Sequence, residues 1–302
     1  MKSQLFGSLS NPTLPIILVV LVVAVGAAAF FVARSASAGL QSETIRSGRF
    51  ERTYSVYVPP SYIPGRPAPV LLAYHGAGGT GAGMRMGAGL DALGDRYGAI
   101  VVYPDALAGG AWALGCANCT PADAMGVDDA QFTLDLLDDL GQRYSIDQSR
   151  VYATGHSLGG SFVGILACRH ADRIAGVAIV ASLLIRQEED TCKPARPVSY
   201  LLMIGANDPN VPWTGGGRYG YVGAEETARL WGQRNGCTAP VRVETLPGQQ
   251  GDGVGATIWS YESCCADSVM RLYRIENHGH GWPTGPAVSA PEEIGRWLLD
   301  GK

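Results

Sequence analysis

The sequence predicts an α/β fold, with a mostly parallel central sheet and helices on both faces, and three observations carry that expectation. From about residue 50 onward, short β-branched runs alternate with helical stretches. Two of the runs, Pro69 to Tyr74 and Ala99 to Tyr103, are continuously apolar, as strands buried on both faces are. A Gly-x-Ser-x-Gly turn, Gly155 to Gly159, joins a predicted strand to a predicted helix.

The elements follow in order. Arg52 to Val58 alternates with period two and stops at Pro59-Pro60, which reads as an early, half-exposed strand. Between Val127 and Tyr144, Phe132, Leu136, Leu140 and Tyr144 recur every four residues behind Asp128-Asp129, giving an amphipathic helix with acids at its positive end. Arg150 to Thr154, Ile174 to Val180 and Tyr200 to Ile204 are expected strands, with a helix from Leu158 to His170 between the first two. Ala224 to Asn235 reads as a helix, Val241 to Glu244 and Val269 to Ile275 as strands, and Pro291 to Asp300 as a closing helix with proline near its start. No Pro/Ser-rich linker interrupts the series, so residues 39–302 are expected to form one domain.

Composition narrows the function. The 302 residues are 46% hydrophobic and 17% charged, enough apolar material for a sizeable core. The formal net charge is -4, without a basic run that could neutralise a phosphate backbone, so nucleic acid is not an expected partner. The 41 glycines follow no repeat and read as tight turns. Leu14 to Ala33 is an uninterrupted apolar run of membrane-spanning length, followed by the small-x-small sequence Ala36-Ser37-Ala38 that a signal peptidase cuts. Residues 1–38 are therefore expected to be a signal peptide, which makes the protein secreted. The alternative is a retained membrane tether through 14–33 with the domain outside. Seven cysteines, Cys116, Cys119, Cys168, Cys192, Cys237, Cys264 and Cys265, suit disulfides in such a compartment and leave at least one thiol unpaired. Half a zinc site is the alternative for Cys116-x-x-Cys119, but no second pair at finger spacing follows, and no metal or cofactor is expected.

The chemistry centres on Ser157. At a strand-to-helix turn a serine is held in a strained conformation that exposes its hydroxyl, and the flanking glycines avoid collision with neighbouring backbone. A serine hydroxyl needs a base to take its proton and a carboxylate to orient that base. Of the later histidines, His170 ends a helix, whereas His278 and His280 sit in a glycine-rich loop after the strand ending at Ile275. Those two could also form a metal pair, but no third ligand is suggested by spacing. For the acid, Asp208 follows the strand Tyr200 to Ile204, and Asp172, Asp190 and Glu226 are less well placed. His75-Gly76-Ala77-Gly78-Gly79 follows another buried strand, so the Ala77 and Leu158 N–H groups are the expected oxyanion donors, with His75 structural. Trp112, Trp213 and Trp282 are candidates for stacking on substrate.

These residues resemble the secreted branch of the α/β-hydrolases that holds feruloyl esterases and polyhydroxybutyrate-depolymerase-like proteins. The likeness runs through HGAGG (75–79), VVYPD (101–105), VDDAQF (127–132), YSIDQSRVYATGHSLGG (144–160), GANDPNVPW (205–213), WGQRNGC (231–237) and HGWP (280–283). The terminal signature of that family, G-H-x-W-P, implies His280 rather than His278 as the base. The resemblance also implies disulfides, Cys168 with Cys192 and Cys237 with Cys264 or Cys265. Ile204 stands where the family's acid motif commonly has histidine, and Ala77 where its oxyanion motif often has cysteine. The implied function is an exported serine carboxylic-ester hydrolase acting on an acylated polysaccharide, feruloyl esters first, with a polyester as the alternative substrate. A non-catalytic surface protein on the same scaffold is the competing class.

Overall fold

The computed structural model describes residues 39–248 and 254–300. The predicted signal or anchor segment, residues 1–38 with its apolar run 14–33, lies outside the described residues. The described chain begins with a hairpin, β1 (Gly39–Ser47) and β2 (Phe50–Val58), followed by β3 (Ala68–Tyr74), α1 (Gly81–Ala88), α2 (Asp91–Tyr97) and β4 (Ile100–Pro104). Next come α3 (Pro121–Ala124), α4 (Asp129–Arg143), β5 (Ile146–His156), α5 (Leu158–Arg169), β6 (Gly176–Val180) and β7 (Ser199–Gly205). Then follow α6 (Ala224–Arg234), β8 (Arg242–Pro247), β9 (Val254–Tyr261), β10 (Met270–Ile275) and α7 (Ala290–Ile294).

The ten strands form one sheet in the order β1-β2-β4-β3-β5-β6-β7-β10-β9-β8. Its middle, from β4 to β10, is parallel, and antiparallel pairs finish both edges. This is the mostly parallel sheet expected from the continuous apolar runs: every residue of β3, β4 and β6 is buried. Side chains alternate between the faces. Leu71 and Ala73 of β3 and Leu201 of β7 pack with Met84 and Ala88 of α1 and Ile294 of α7. On the opposite face Tyr74 meets Phe162 of α5 and bonds Thr133 of α4, and Tyr200 stacks on Trp231 of α6.

The structure adds elements that pattern alone did not reveal. β1 carries Gln41, Ser42, Glu43 and Thr44 along an edge where side chains are at most half-buried until Ser47, so it shows no apolar period. Glycines obscured α1 and α2, in which Met84 and Leu93 are buried while Met86 faces solvent. Thr80 starts α1 by accepting a hydrogen bond from Gly83 N–H at 3.0 Å. The predicted closing helix from Pro291 to Asp300 is not uniform: after α7 it continues as a π-helical turn, Gly295–Leu299. Among the described residues, the Cys116–Cys119 disulfide closes one loop, Cys168–Cys192 ties α5 to the loop after β6, and Cys237–Cys264 joins two loops, while Cys265 keeps an exposed free thiol. The pairing at Cys116 replaces the half zinc site. Nearby Asp123 is also committed, accepting hydrogen bonds from the Leu114, Gly115 and Thr120 N–H groups. No helix among the described residues is long and apolar enough to cross a membrane.

Candidate active site

The parallel strands end along one edge, and the loops leaving β3, β5, β7 and β10 converge there. At the end of β5 the chain turns so sharply that Ser157 has φ 54° and ψ −122°, a strained position for a residue with a Cβ. The turn closes only with glycines: a Cβ on Gly155 would lie 2.3 Å from the Gly159 carbonyl oxygen, and one on Gly159 2.4 Å from that of Tyr74. Ser157 N–H donates to the Val180 carbonyl at 2.9 Å, fastening the turn to β6.

The candidate acid and base follow two neighbouring parallel strands, β7 and β10. Beyond β7, Asp208 is buried, and its Oδ1 accepts from the N–H groups of Asn210 (2.8 Å) and Val211 (2.9 Å). Its Oδ2 takes His280 Nδ1 at 2.7 Å, and His280 Nε2 stands 2.8 Å from Ser157 Oγ. The backbone donors fix the carboxylate so that only one oxygen is left for the imidazole, which sets the tautomer with Nε2 facing the serine. His278, the other candidate base, points its Nε2 at the Gly281 carbonyl 3.2 Å away and joins no metal cluster among the described residues. Glu226 is spent on an exposed ion pair with Arg229.

Two features of this arrangement were not read from the sequence. The histidine loop crosses directly over Gly205, where a Cβ would come within 2.3 Å of the Gly279 carbonyl oxygen, and Asn207 N–H bonds the His278 carbonyl at 3.0 Å. Gly205→Ala is therefore expected to push the loop off β7 and lower kcat at least tenfold, with the fold retained by circular dichroism. Unchanged kcat would mean that the loop position is not set here. The second feature is His156, the variable residue of the serine motif, whose Nε2 bonds the His280 carbonyl at 2.9 Å. Burial pushes the His156 pKa below its ordinary value, and it remains a neutral donor that anchors the histidine loop. Nothing in the motif's spacing announces that role.

The His75–Gly79 loop, the candidate oxyanion loop, sits against Ser157, since a Cβ on Gly76 would be 3.3 Å from Ser157 Cβ. Gly78 N–H is used by the Gly110 carbonyl and Gly79 N–H by that of Gly76, whereas the Ala77 and Leu158 N–H groups have no acceptor among the described residues. His75 is buried beneath the loop, with Nδ1 donating to the Gly76 carbonyl at 2.8 Å and Nε2 accepting Ala106 N–H at 3.1 Å. Burial lowers its pKa as well.

Both histidines bind protons more weakly in the folded chain than in the unfolded one, where the value is near 6.5. Between the two values the unfolded state holds more protons, so stability is full above pH 6.5 and falls as the pH drops below it. Thermal unfolding measured from pH 8 to 5 should show that decline, and His156→Asn should flatten it. A profile identical in the variant would exclude His156 as a source.

The tryptophans divide. Trp112 does not line a binding surface: it is fully buried, packs against Tyr74 and Phe162, and donates its indole N–H to the His75 carbonyl at 2.8 Å. It supports the oxyanion loop from below. Trp213 is half-buried, donating to Glu225 and lying 5.6 Å from Trp259. Trp282, also half-buried, borders a cavity that Gly76 and His156 also line.

A strand-end serine, a histidine and a buried aspartate in hydrogen-bonded sequence, on a sheet of this order, define an α/β-hydrolase scaffold. The family described as "Putative esterase" matches residues 47–247, and the chain belongs to it. It is 31% identical over 259 residues to feruloyl esterase B of Piromyces equi, covering 80% of this chain and 46% of that enzyme. It is 28% identical to poly(3-hydroxyalkanoate) depolymerase C of Paucimonas lemoignei, covering 80% of this chain and 62% of that one. The chain thus spans about half to two thirds of the length of these two relatives. Among solved structures, acetyl xylan esterase from Aspergillus awamori shares the fold with a TM-score of 0.64, at 17% identity over 86% of this chain and 98% of that one.

Proposed function

We propose that the chain is an exported serine carboxylic-ester hydrolase working through an acyl-enzyme. The observation that carries the reading is the unbroken series Asp208 Oδ2, His280 Nδ1, His280 Nε2 and Ser157 Oγ, with links of 2.7 and 2.8 Å. Ser157 Oγ bonds the ester carbonyl carbon while its proton passes to His280 Nε2, and Asp208 holds the imidazolium that forms. The carbonyl oxygen becomes an oxyanion facing the Ala77 and Leu158 N–H groups, each donor contributing about 3 kcal/mol to the transition state. Collapse breaks the bond to the alcohol oxygen, which receives the proton from His280. Water then attacks the acyl carbon, giving its proton to His280, and Ser157 leaves with that proton to complete the cycle.

The substrate is an acylated polysaccharide, with a feruloyl ester as first choice, a reading supported by the feruloyl esterase relative. A polyester of 3-hydroxy acids is the second, favoured by the depolymerase relative. Release of ferulate from methyl ferulate, set against release of 3-hydroxybutyrate oligomers from polymer, decides between them. Turnover of short p-nitrophenyl esters with neither release would remove both substrates and leave the mechanism. Labelling by a serine-directed phosphonate is expected in the wild type and lost in Ser157→Ala, and its absence from the folded wild type would instead favour a non-catalytic surface protein. Export is supported by the three disulfides and by the apolar run 14–33 with Ala36-Ser37-Ala38 after it. Mass analysis of the protein recovered outside the cell tests cleavage after Ala38, and recovery only with membranes at full length would establish the tether instead.

A further inference from the structure

A cavity of about 240 Å³ is bounded by His156, the residue before Ser157, and by Gly76, where a Cβ would lie 3.3 Å from Ser157 Cβ, as well as by Gly83 and Gly87 of α1 and by Trp282. Its openness has a cost. Glycine within a helix is about 1 kcal/mol less favourable than alanine, and α1 has three in eight residues. One is needed by the fold, because a Cβ on Gly81 would lie 2.5 Å from the Tyr103 carbonyl oxygen. The other two are not: a Cβ on Gly87 meets nothing within 4 Å, and one on Gly83 meets only Thr80 Oγ1 at 3.3 Å. Neither has positive φ. Four residues apart, they lie on one face of the helix, and what they keep free is the cavity.

The cavity lies on the side of the site that belongs to the histidine. Trp282 follows His280 by two residues, and His156 bonds the His280 carbonyl. In acylation His280 hands its proton to the departing alcohol oxygen, so the alcohol leaves on that side. We infer that this cavity holds the alcohol part of the ester and selects a single-ring alcohol, gripped through its apolar face between α1 and Trp282. The volume accommodates one ring, the walls are mostly apolar, with His75, Thr80 and His156 as the polar side chains, and an indole offers a flat surface for a ring. The inference rests on the serine-esterase reading above.

The test uses the purified protein and two esters of one acid, benzyl butyrate and methyl butyrate. Gly87→Phe fills the cavity, and the benzyl-to-methyl ratio of kcat/KM is expected to fall at least tenfold from the wild-type value. Gly87→Ala, which removes a helix-weakening glycine, is expected to raise Tm and to lower the ratio by less, so a folded variant is assured. An unchanged ratio in Gly87→Phe would overturn the inference. So would a variant whose loss follows acyl length, measured with methyl butyrate and methyl octanoate, since the cavity would then hold the acyl part. Phosphonate labelling separates the two levels: labelling of the wild type at Ser157 together with an unaltered ratio in Gly87→Phe defeats only the cavity, while failure to label defeats the esterase reading and the cavity with it.

Discussion

Ser157→Ala is expected to lower kcat for p-nitrophenyl acetate by about 10⁶-fold while leaving the fold intact, since a Ser-His-Asp unit acts as a whole. His280→Ala should cost about as much, and the double variant no more than either single one. The reason lies in the geometry: His280 has one free nitrogen, 2.8 Å from Ser157 Oγ, and its other nitrogen is held by Asp208, so each residue is useful only with its partner. Asp208→Asn should cost less, because the Asn210 and Val211 N–H groups would still hold the side-chain oxygen while the imidazole loses its charge partner. Hydrolysis above one hundredth of wild type in Ser157→Ala, measured after excluding contaminating esterases, would reject the assignment. The backbone donors at Ala77 and Leu158 should leave a small residual rate, which explains why the expected loss is finite.

The largest expected effect on stability lies away from the nucleophile. Arg52 and Asp129 form an ion pair with both side chains almost wholly buried, 2.6 Å apart, and the guanidinium lies 3.8 Å above the Phe132 ring. Asp129 Oδ2 also accepts Ala113 N–H at 2.6 Å, and Arg52 donates to the Asp105 carbonyl at 3.1 Å. The pair therefore holds both ends of the segment that carries Trp112, and through Trp112 the backbone of His75. Asp129→Ala leaves a buried guanidinium without its counter-charge and is expected to cost about 3–5 kcal/mol in urea unfolding at pH 7. The double variant Arg52→Met, Asp129→Leu should lose less than that single one, because no charge is then stranded. A loss under about 1 kcal/mol in Asp129→Ala would show that water reaches the pair.

These two expectations differ in how much of them the sequence disclosed. Ser157 was legible because a motif of five residues stands between a β-branched strand and a helix, a local context that the backbone strain demands. Asp208 was legible as the acid following a buried strand, and His280 through the G-H-x-W-P signature. The Arg52–Asp129 pair was not, since 77 residues separate its members and both look like ordinary surface charges in a strand and at a helix start. The same holds for Gly205 and His156, whose purposes appear only when the histidine loop is laid across β7 and β5. Trp112 was misread for a related reason. An indole in a loop looks available to a substrate until its N–H is found on the His75 carbonyl, deep under the oxyanion turn.

By itself the sequence determined the order of the parallel strands' apolar runs and singled out the candidate nucleophile and its candidate partners, because those depend on local backbone demands and on short-range patterning. Tertiary structure decided that the Ala77 and Leu158 N–H groups have no acceptor among the described residues, that Trp112 is buried while Trp213 and Trp282 stay half-buried, which cysteine is left over and where an open cavity borders the site. Those are questions of which distant surfaces meet, and they are answered by packing of strands and loops that no periodicity along the chain encodes.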